Sequence, residues 1–191
     1  MKQFWKPGNM LFPVPAVMLS CGREKEKPNI ITLAWAGNVC SDPPMVSVSI
    51  RRSRYSYDII KETGEFVLNL TTENLARKAD LCGVKSGRDI DKFETVHLTP
   101  QPSQKVKAPG IMESPVNIEC KVEQIIPLGT HDLFLAKVLG VSVDESLLNK
   151  KGSLDLKRAN LVAWSHGEYM GLGKKIGKFG YSVQKRKTGK R

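Results

Sequence analysis

The sequence predicts a mainly β protein, an antiparallel barrel with a few short helices, and three observations support this fold class. Apolar and polar residues alternate with a period of two in several separate runs, as they do in half-buried strands. Helical patterns are scarce and do not alternate regularly with the strands, which argues against a parallel α/β sheet. An antiparallel sheet of about seven or eight strands hides its edges by closing into a full or partly open barrel.

Gly, Pro, Asp and Ser residues separate the predicted strands from one another. Strands are predicted over residues 29–38, 46–50, 66–70, 116–122 and 133–138. Near the end of the chain, residues 160–165 and 168–172 predict a hairpin that turns at His166-Gly167.

Two segments predict helices. Residues 53–62 have a helical pattern, with Ser53 as the expected N-cap and Gly64 as the expected C-terminal stop. Residues 72–81 predict a second helix, which we expect Gly83 to end.

The segment between the second helix and the next long strand is irregular. Residues 90–93 predict a single helical turn, and residues 99–115 contain four prolines with several Lys and Gln residues. We expect this proline-rich segment to run over the surface.

Length and composition fit one folded domain. The chain has 191 residues, enough to bury a sizeable core, and we expect residues 1–182 to form this domain and residues 183–191 a basic tail. No apolar run approaches the roughly 18 residues of a transmembrane helix, and prolines interrupt the apolar stretch near the N-terminus, so no signal peptide is predicted. The expected location is the cytoplasm, where the four cysteines, which lack zinc-site spacing, would be mostly buried free thiols.

Positive charge is concentrated at the C-terminal end of the chain. The formal net charge is +11, and no acidic residue follows Glu168. The basic residues beyond it are Lys174, Lys175, Lys178, Lys185, Arg186, Lys187, Lys190 and Arg191. Such a run can bind nucleic acid or an anionic partner. Because a charge run alone specifies no ligand, and few aromatic residues are interleaved with it, the sequence favours a solvated tail without a nucleic-acid partner.

The sequence lacks the common motifs of side-chain nucleophiles and metal sites. It contains no H-E-x-x-H, G-x-S-x-G or Walker A motif. The glycine pair in Gly171-Leu172-Gly173 lacks the third glycine of the dinucleotide fingerprint, and it lies in a predicted hairpin rather than a strand-to-helix turn. We therefore expect no catalytic side chain, no metal and no Rossmann-type nucleotide site.

The junction between the strand at 46–50 and the first helix is the strongest candidate for a binding site. Three arginines and two serines cluster there: Arg51, Arg52, Ser53, Arg54 and Ser56. A helix N-terminus offers unpaired N–H groups and a partial positive charge, and hydroxyl and guanidinium groups can complete a phosphate site. From residue types alone, an ordinary helix cap surrounded by solvated arginines fits equally well.

Several segments occur in an order and spacing that carries a family resemblance. They are residues 28–35 (PNIITLAW), 41–44 (SDPP), 48–56 (VSIRRSRYS), 64–69 (GEFVLN), 86–93 (SGRDIDKF), 167–169 (GEY) and 177–180 (GKFG). As an ordered set they resemble the flavin reductase-like FMN-binding family, and in particular its flavoredoxins and ferric or flavin reductases. The resemblance covers most of residues 10–182 and implies an antiparallel Greek-key split barrel.

The resemblance implies FMN as the cofactor and assigns residues to its two ends. Asn29, Thr32 and Trp35 are expected along the isoalloxazine ring and the ribityl chain. Three residues are expected at the phosphate: Arg51, Ser53 and Ser56.

Three further residues are assigned by the resemblance alone. Lys92 is expected to approach the flavin from the helical turn after the second helix, and a cation near the pyrimidine end of the ring favours the anionic reduced flavin. His131 is expected near the ring or the phosphate, and Trp164 as a second aromatic contact. Taken singly, these residues fit a surface lysine, a structural histidine and a core tryptophan.

The resemblance also implies a redox function in which FMN transfers electrons or hydride. The donor would be NAD(P)H or a redox protein, and the acceptor free flavin, a ferric chelate or a redox protein. The expected assembly is a homodimer. Beside an NAD(P)H-dependent flavin or ferric reductase, two other classes stay open: a flavoredoxin-type electron carrier without NAD(P)H turnover, and a basic binding module without a redox role.

Overall fold

The computed structural model describes residues 1–184, which contain twelve strands. In chain order these are β1 (Val14–Pro15), β2 (Val17–Cys21), β3 (Asn29–Leu33), β4 (Ala36–Ser41), β5 (Pro44–Arg51), β6 (Glu65–Leu70), β7 (Pro100–Gln101), β8 (Gly110–Ile111), β9 (Val116–Pro127), β10 (His131–Val143), β11 (Val162–Ser165) and β12 (Glu168–Gly171). Seven of them form one antiparallel sheet in the order β3-β2-β6-β9-β10-β5-β4, β1 pairs with the β11–β12 hairpin, and β7 pairs with β8. The fold is therefore mainly β and antiparallel, as predicted.

The seven-stranded sheet curls into a split barrel. Its two edge strands, β3 and β4, follow each other in the chain with only Ala34 and Trp35 between them, so the sheet has to bend until its edges meet. The β4–β5 pairing continues one residue into this connection, where the backbone N–H of Ser49 on β5 donates to the carbonyl of Trp35, with an N···O distance of 2.9 Å. Within the described residues no hydrogen-bond ladder pairs β3 with β4, so the barrel is split between these two strands.

The interruption between β3 and β4 contradicts one prediction from the sequence. Residues 29–38 are predicted as a single strand, but the chain leaves β3 at Leu33 and starts β4 at Ala36 on the opposite edge of the sheet. Residue preferences indicate that a segment is extended, but they do not indicate which strand it pairs with. A segment that changes its partner strand while staying extended therefore gives no signal in the sequence.

The described residues contain three α-helices: α1 (Tyr55–Thr63), α2 (Ala76–Val84) and α3 (Lys92–Thr95). The expectation that Ser53 caps α1 is wrong, because the N-cap is Arg54, whose side chain makes no capping hydrogen bond. Gly64 ends α1 as predicted, in a left-handed conformation with φ of +68°, and its N–H donates to the carbonyl of Ile60.

The expectation that Gly83 ends α2 is also wrong. The helix continues to Val84, and Gly83 lies within it against β3. A Cβ atom at position 83 would come within 3.3 Å of the Cβ of Thr32. The missing side chain therefore permits close packing of α2 on β3 and does not mark a chain reversal.

Both faces of the sheet at β2 and β3 are covered, which fixes α2 against the barrel. The inner faces of the strands form the barrel core with α1, and its fully buried side chains include Leu19, Val48, Ile60, Phe66 and Phe134. The outer faces of β2 and β3 pack with α2 and α3 in a second cluster, which contains Met18, Ile30, Ala79, Cys82 and Phe93. Burial on both faces holds β3 and α2 in place beside each other.

The segments beyond the barrel agree in part with the sequence analysis. The predicted hairpin is confirmed as β11–β12, and both turn residues, His166 and Gly167, have positive φ. The proline-rich segment 99–115 is more tightly held than expected, since it forms the β7–β8 pair and buries Val106 and Ile111.

Four further predictions concern membrane-spanning helices, metal sites, the state of the cysteines and the basic tail. Across residues 1–184, no helix has the length and apolar character needed to cross a membrane, and no cluster of His, Cys, Asp and Glu is arranged to hold a metal. All four cysteines are free; Cys40 is exposed and the other three are buried. The predicted basic tail, 183–191, falls almost wholly outside the described part, because residues 185–191 are not described.

Candidate functional site

Three adjoining cavities form a groove along β3, and this groove is the candidate site. The central cavity, about 140 Å³, lies between β3, the end of β5 and the start of β10. The serine cavity, also about 140 Å³, lies beside the β5–α1 junction, and the tryptophan cavity, about 210 Å³, lies between α2 and the β11–β12 hairpin. Gly83 of α2 lines all three cavities, so the groove is continuous past this residue.

The structure brings all nine sequence-predicted site residues to this groove. The central cavity is lined by Thr32, Trp35, Arg51 and His131, the serine cavity by Asn29, Ser53, Ser56 and Lys92, and the tryptophan cavity by Thr32 and Trp164. Residues from β3, the β5–α1 junction, α3, β10 and β11 thus converge on one surface.

The serine cavity is built on the N-terminus of α1. Because Arg54 makes no side-chain cap, the first N–H groups of the helix are not occupied by a capping side chain. Ser56 is buried in the first turn, and its hydroxyl accepts a hydrogen bond of 2.7 Å from Nδ2 of Asn29 on β3. Arg54 lines both this cavity and the central one. N–H groups, a fixed hydroxyl and a guanidinium at one helix N-terminus suit an anionic group.

A buried carboxylate holds the β5–α1 junction against β10. The side chain of Asp132, only 5% exposed, accepts hydrogen bonds from Nε and Nη2 of Arg52 and one of 2.6 Å from the hydroxyl of Tyr57. The bonds from Arg52, and then the one from Tyr57, hold the pKa of Asp132 below its usual range, and the bond to Asp132 raises the pKa of Tyr57. Asp132 therefore fixes both sides of the segment that carries Ser53 and Ser56.

Lys92 lies in the serine cavity rather than the central one, although sequence analysis associates it with the ring of a flavin. Its side chain is buried, and Nζ donates to the carbonyls of Ile30 and Cys82 at 2.7 and 2.6 Å. Burial lowers the pKa of Lys92 to about 8, which leaves the amine mostly protonated at neutral pH. The lysine thus adds a positive charge to the same cavity as Ser53 and Ser56.

His131 begins β10 directly opposite Arg51 of β5. Burial, together with the neighbouring guanidinium groups of Arg51 and Arg54, lowers the pKa of His131 from its ordinary value of 6.5. Its ring is therefore neutral at pH 7, and its Nδ1 lies 2.9 Å from the hydroxyl of Thr130. A neutral imidazole can donate or accept a hydrogen bond in the central cavity without adding charge.

β3 and the residues that follow it form one side of the central cavity. Trp35 lies at the break between β3 and β4, with Phe12 at 6.2 Å between ring centroids, and Phe12 in turn meets the His166 ring edge-on. The Thr32 hydroxyl donates to the carbonyl of Ala79 on α2, so it faces the helix and is already bonded. Thr32 therefore contributes a small side chain next to Gly83 to the lining of the cavity, and not a free hydroxyl.

The tryptophan cavity is closed by the β11–β12 hairpin. Trp164 and Tyr169 lie on its two strands and stack edge to face, with centroids 4.9 Å apart. Burial is the main cause that raises the pKa of Tyr169 to about 12, so its hydroxyl stays protonated. This end of the groove is aromatic, with the carboxylate of Asp80 beside Tyr169, in contrast to the cationic serine cavity.

Sequence reasoning missed several residues that shape the groove. Gly83 lines every cavity, yet its position near the end of a helical pattern predicts a stop. Asp132 lines none of them and acts through Arg52 and Tyr57, some 80 and 75 positions away. Arg54 and Gly87 belong to segments that the resemblance includes, but neither is assigned a role by it. Of these four residues, only Arg54 had a signal in the sequence, which is its place in the cluster of three arginines.

Comparisons with known proteins agree with this geometry. The flavin reductase like domain matches residues 9–173. The chain belongs to the flavin reductase-like family. Flavoredoxin of Desulfovibrio vulgaris (Miyazaki F) superimposes with a TM-score of 0.90 at 33% identity, over 96% of this chain and 100% of that one. Flavoredoxin from Methanosarcina acetivorans does so with a TM-score of 0.85 at 26% identity, with the same coverage.

A curated relative supports the same membership over most of the chain. An uncharacterized protein of Archaeoglobus fulgidus is 34% identical over 147 residues, which are 77% of this chain and 82% of the relative. The resemblance identified from the ordered segments is thereby confirmed, as is the split-barrel fold. Membership in a flavin reductase-like family supports an oxidoreductase-type role linked to flavin.

Proposed function

We propose that this protein binds FMN in the groove along β3 and transfers electrons through it. The observation that carries the proposal is the serine cavity, in which Ser53, Ser56, Arg54 and Lys92 surround the N-terminus of α1. This cationic end continues into a groove whose far end is lined by Trp164, Tyr169 and the carboxylate of Asp80. FMN has the matching shape, a phosphate at one end and a flat ring system at the other.

The serine cavity is the proposed phosphate site. The hydroxyl of Ser56 is fixed by Asn29, and Ser53 lies at the rim, so both hydroxyls can donate to phosphate oxygens. Arg54 and the Lys92 ammonium supply charge, and the free N–H groups of α1 supply backbone donors. Asp132 keeps this segment in place through Arg52 and Tyr57 and needs no contact with the phosphate.

The central and tryptophan cavities are the proposed ring site. Gly83 leaves room for a flat group to lie against β3, and Trp35 and Trp164 supply aromatic walls on either side. The resemblance assigns Arg51 to the phosphate, but Arg51 lines the central cavity and not the serine cavity. We therefore propose that Arg51 and neutral His131 hydrogen-bond a heteroaromatic edge there. These residues orient the ring and exclude water; FMN, when bound, supplies the electron-transfer chemistry.

The flavoredoxin structures, at 33% and 26% identity, support FMN as the cofactor and a redox role for the chain. We propose an oxidoreductase that takes electrons from NAD(P)H or a redox protein and passes them to free flavin, a ferric chelate or a redox protein. A homodimer is the proposed assembly. The second candidate is a flavoredoxin-type carrier without NAD(P)H turnover, and the similarity to the two flavoredoxins is the observation that supports it.

The phosphate assignment is tested by comparing FMN with riboflavin, which lacks the phosphate. We expect the Ser53→Ala, Ser56→Ala double variant to bind FMN at least about tenfold more weakly, because it loses two hydrogen bonds to a charged group. Riboflavin affinity should stay near that of the wild type. Ser142→Ala on β10, outside the groove, is the matched control and should leave both affinities unchanged.

Isothermal titration of flavin-free protein measures all these affinities. Equal losses for FMN and riboflavin would contradict the phosphate assignment, and protein that takes up no flavin would contradict the proposed function. Anaerobic titration of the FMN-loaded protein with NADH and NADPH then separates the two redox proposals. Bleaching of the flavin absorption band identifies a reductase, and an unchanged band identifies a carrier that depends on a protein donor.

A further inference from the structure

The serine cavity is closed on its outer side by the loop between α2 and α3, residues 85–91. Lys85, Ser86 and Gly87 of this loop line the cavity opposite Ser53 and Ser56. At about 140 Å³ the cavity is well below the roughly 300–1,000 Å³ of a pocket that encloses a whole drug-sized ligand. It is a compartment for one end of a molecule.

A second, open cleft lies directly behind this wall. The outer cleft, about 460 Å³, shares three lining residues with the serine cavity: Asn29, Tyr55 and Gly87. These three residues are therefore the partition between the two spaces. A side chain at position 87 would overlap the side chains of Asn29 and Tyr55, so the loop backbone packs directly on them.

Arg88 fastens the loop to the other rim of the serine cavity. Its Nη1 donates to the backbone carbonyl of Ser53 at 3.1 Å, and its guanidinium lies 5.3 Å from the centroid of the Tyr55 ring. Nη2 is also 3.9 Å from the carboxylate of Asp58. The bond to Ser53 and the cation–π contact with Tyr55 both join residues 85–88 to the β5–α1 junction.

The outer cleft itself is unfavourable for an anionic group. Its lining contains three carboxylates, from Glu26, Asp89 and Asp91, against two cations, from Lys27 and Arg88, a net charge of −1. Lys27 is already paired with Asp91, with Nζ 3.0 Å from the carboxylate. Glu26 is likewise paired with Arg23, so Asp89 is the lining carboxylate without an ion pair in the described part of the chain, and a second phosphate that entered the cleft would meet it near the partition.

We infer that Arg88 is a specificity-determining residue that makes the site selective for FMN over FAD. This inference rests on the proposed function, with the FMN phosphate in the serine cavity. FMN ends at its phosphate, whereas FAD continues from the same phosphate to a second phosphate and an adenosine. To bind, FAD has to separate the two rims that Arg88 joins and pass the Asn29–Tyr55–Gly87 partition.

The test compares FMN, FAD and riboflavin affinities of flavin-free wild type and variants by isothermal titration calorimetry. Wild type should bind FMN more tightly than FAD. Arg88→Ala should reduce this preference by about tenfold, because opening the loop no longer breaks a charge-assisted hydrogen bond and an exposed cation–π contact. Riboflavin affinity should not change, since riboflavin does not reach the partition.

Two further variants keep the test specific. Arg88→Lys, which retains a cation near Tyr55, should recover part of the preference, and Arg77→Ala, which removes an exposed arginine from α2, should leave it at the wild-type value. Thermal melting of each variant establishes that it is folded. Arg88→Ala with an unchanged FMN preference, or wild type that binds FMN and FAD equally well, would overturn the inference while leaving the proposed function intact. Wild type that binds no flavin would overturn both.

Discussion

Lys92 carries a positive charge inside the protein, and its surroundings explain how the charge is held. The ammonium donates to two backbone carbonyls, and the nearby thiols of Cys21 and Cys82 are neutral because burial raises their pKa values to about 12 and about 11. The guanidinium of Arg54 is the nearby like charge that further lowers the pKa of Lys92. No described carboxylate is bonded to Nζ, so an incoming anion would be its charge partner.

The proposed phosphate site therefore predicts a pH-dependent affinity. Lys92 loses its proton as the pH rises through about 8, and a bound phosphate shifts this loss to higher pH by stabilising the ammonium. The phosphate of FMN is already a dianion above its second pKa of about 6, and His131 is neutral throughout. FMN affinity should thus fall by about three- to tenfold between pH 7 and pH 9.5, the loss of one partly screened charge interaction.

Riboflavin and Lys92→Met provide the controls for this prediction. Riboflavin affinity should not vary over the same pH range. In Lys92→Met, FMN should bind more weakly at pH 7 and the slope between pH 7 and 9.5 should disappear. If that variant keeps the wild-type slope, the titrating group lies elsewhere.

The sequence predicted individual site residues only where the residues that act together are close to one another in the chain. Ser53 and Ser56 were visible because they sit with three arginines at one strand-to-helix junction. Lys92, by contrast, was assigned by family resemblance, and its place in the serine cavity could not follow from neighbours in the chain. Asp132 gave no signal at all, because its partners come from a segment some 75–80 positions earlier.

At the scale of elements, the packing of α2 on β3 controls the width of the groove. Gly83 faces Thr32, whose side chain is fixed by its hydrogen bond to Ala79 of the same helix. A methyl group at position 83 would push into all three cavities at the point where they join. Gly83→Ala should therefore weaken both FMN and riboflavin binding, by about tenfold if the contact with one ring face is lost.

Stability should respond differently from affinity in this variant. Alanine is favoured over glycine within a helix by up to about 1 kcal/mol, which offsets the tight approach to Thr32. The melting temperature should thus stay within a few degrees of the wild type. Gly37→Ala on β4, where a Cβ would meet no atom within 4 Å, is the matched control and should leave flavin affinity unchanged. Unchanged affinity in Gly83→Ala would remove this residue from the proposed ring site.

The strands were easier to predict than the ends of the helices. Alternation of side chains between the two faces predicted β5, β6 and β9, and a run that is apolar on both faces predicted β10. Helix ends depend on caps and tertiary packing: Ser53 suits an N-cap, yet α1 starts after Arg54, and Gly83 suits a stop, yet close packing on β3 is its role. Both mistakes fell on groove residues, where the needs of a site override local preference.

For the whole molecule, closure of the sheet brings the groove together. Because β3 and β4 are sequence neighbours on opposite edges, the chain between them, Ala34-Trp35, lies at the seam of the barrel and lines the central cavity. The sequence indicated an antiparallel sheet that hides its edges, but not which strands form the seam. Strand order depends on contacts between distant segments, which single-sequence periodicity does not contain.

Large apolar side chains outside the barrel are also exposed. Both terminal segments expose large side chains: Phe4 and Trp5 before the barrel, and Ile176 and Phe179 after it. Contiguous exposed apolar patches mark interaction surfaces, and we propose that these segments contribute to one. The N-terminal segment leads to Phe12, which packs on Trp35, so a partner that covered it would lie close to the groove.

We therefore expect a homodimer in which these segments are buried. Sedimentation equilibrium should give twice the chain mass of 21.2 kDa. Phe4→Ser with Trp5→Ser should weaken the dimer by at least about tenfold, since truncating buried aromatic anchors typically costs 2 kcal/mol or more at an interface. Leu128→Ser, at a comparably exposed leucine in the β9–β10 turn, controls for loss of surface apolar area and should leave the dimer intact. A wild-type mass of 21.2 kDa would refute the dimer, and equal weakening by Leu128→Ser would show that the terminal segments are not its specific contact.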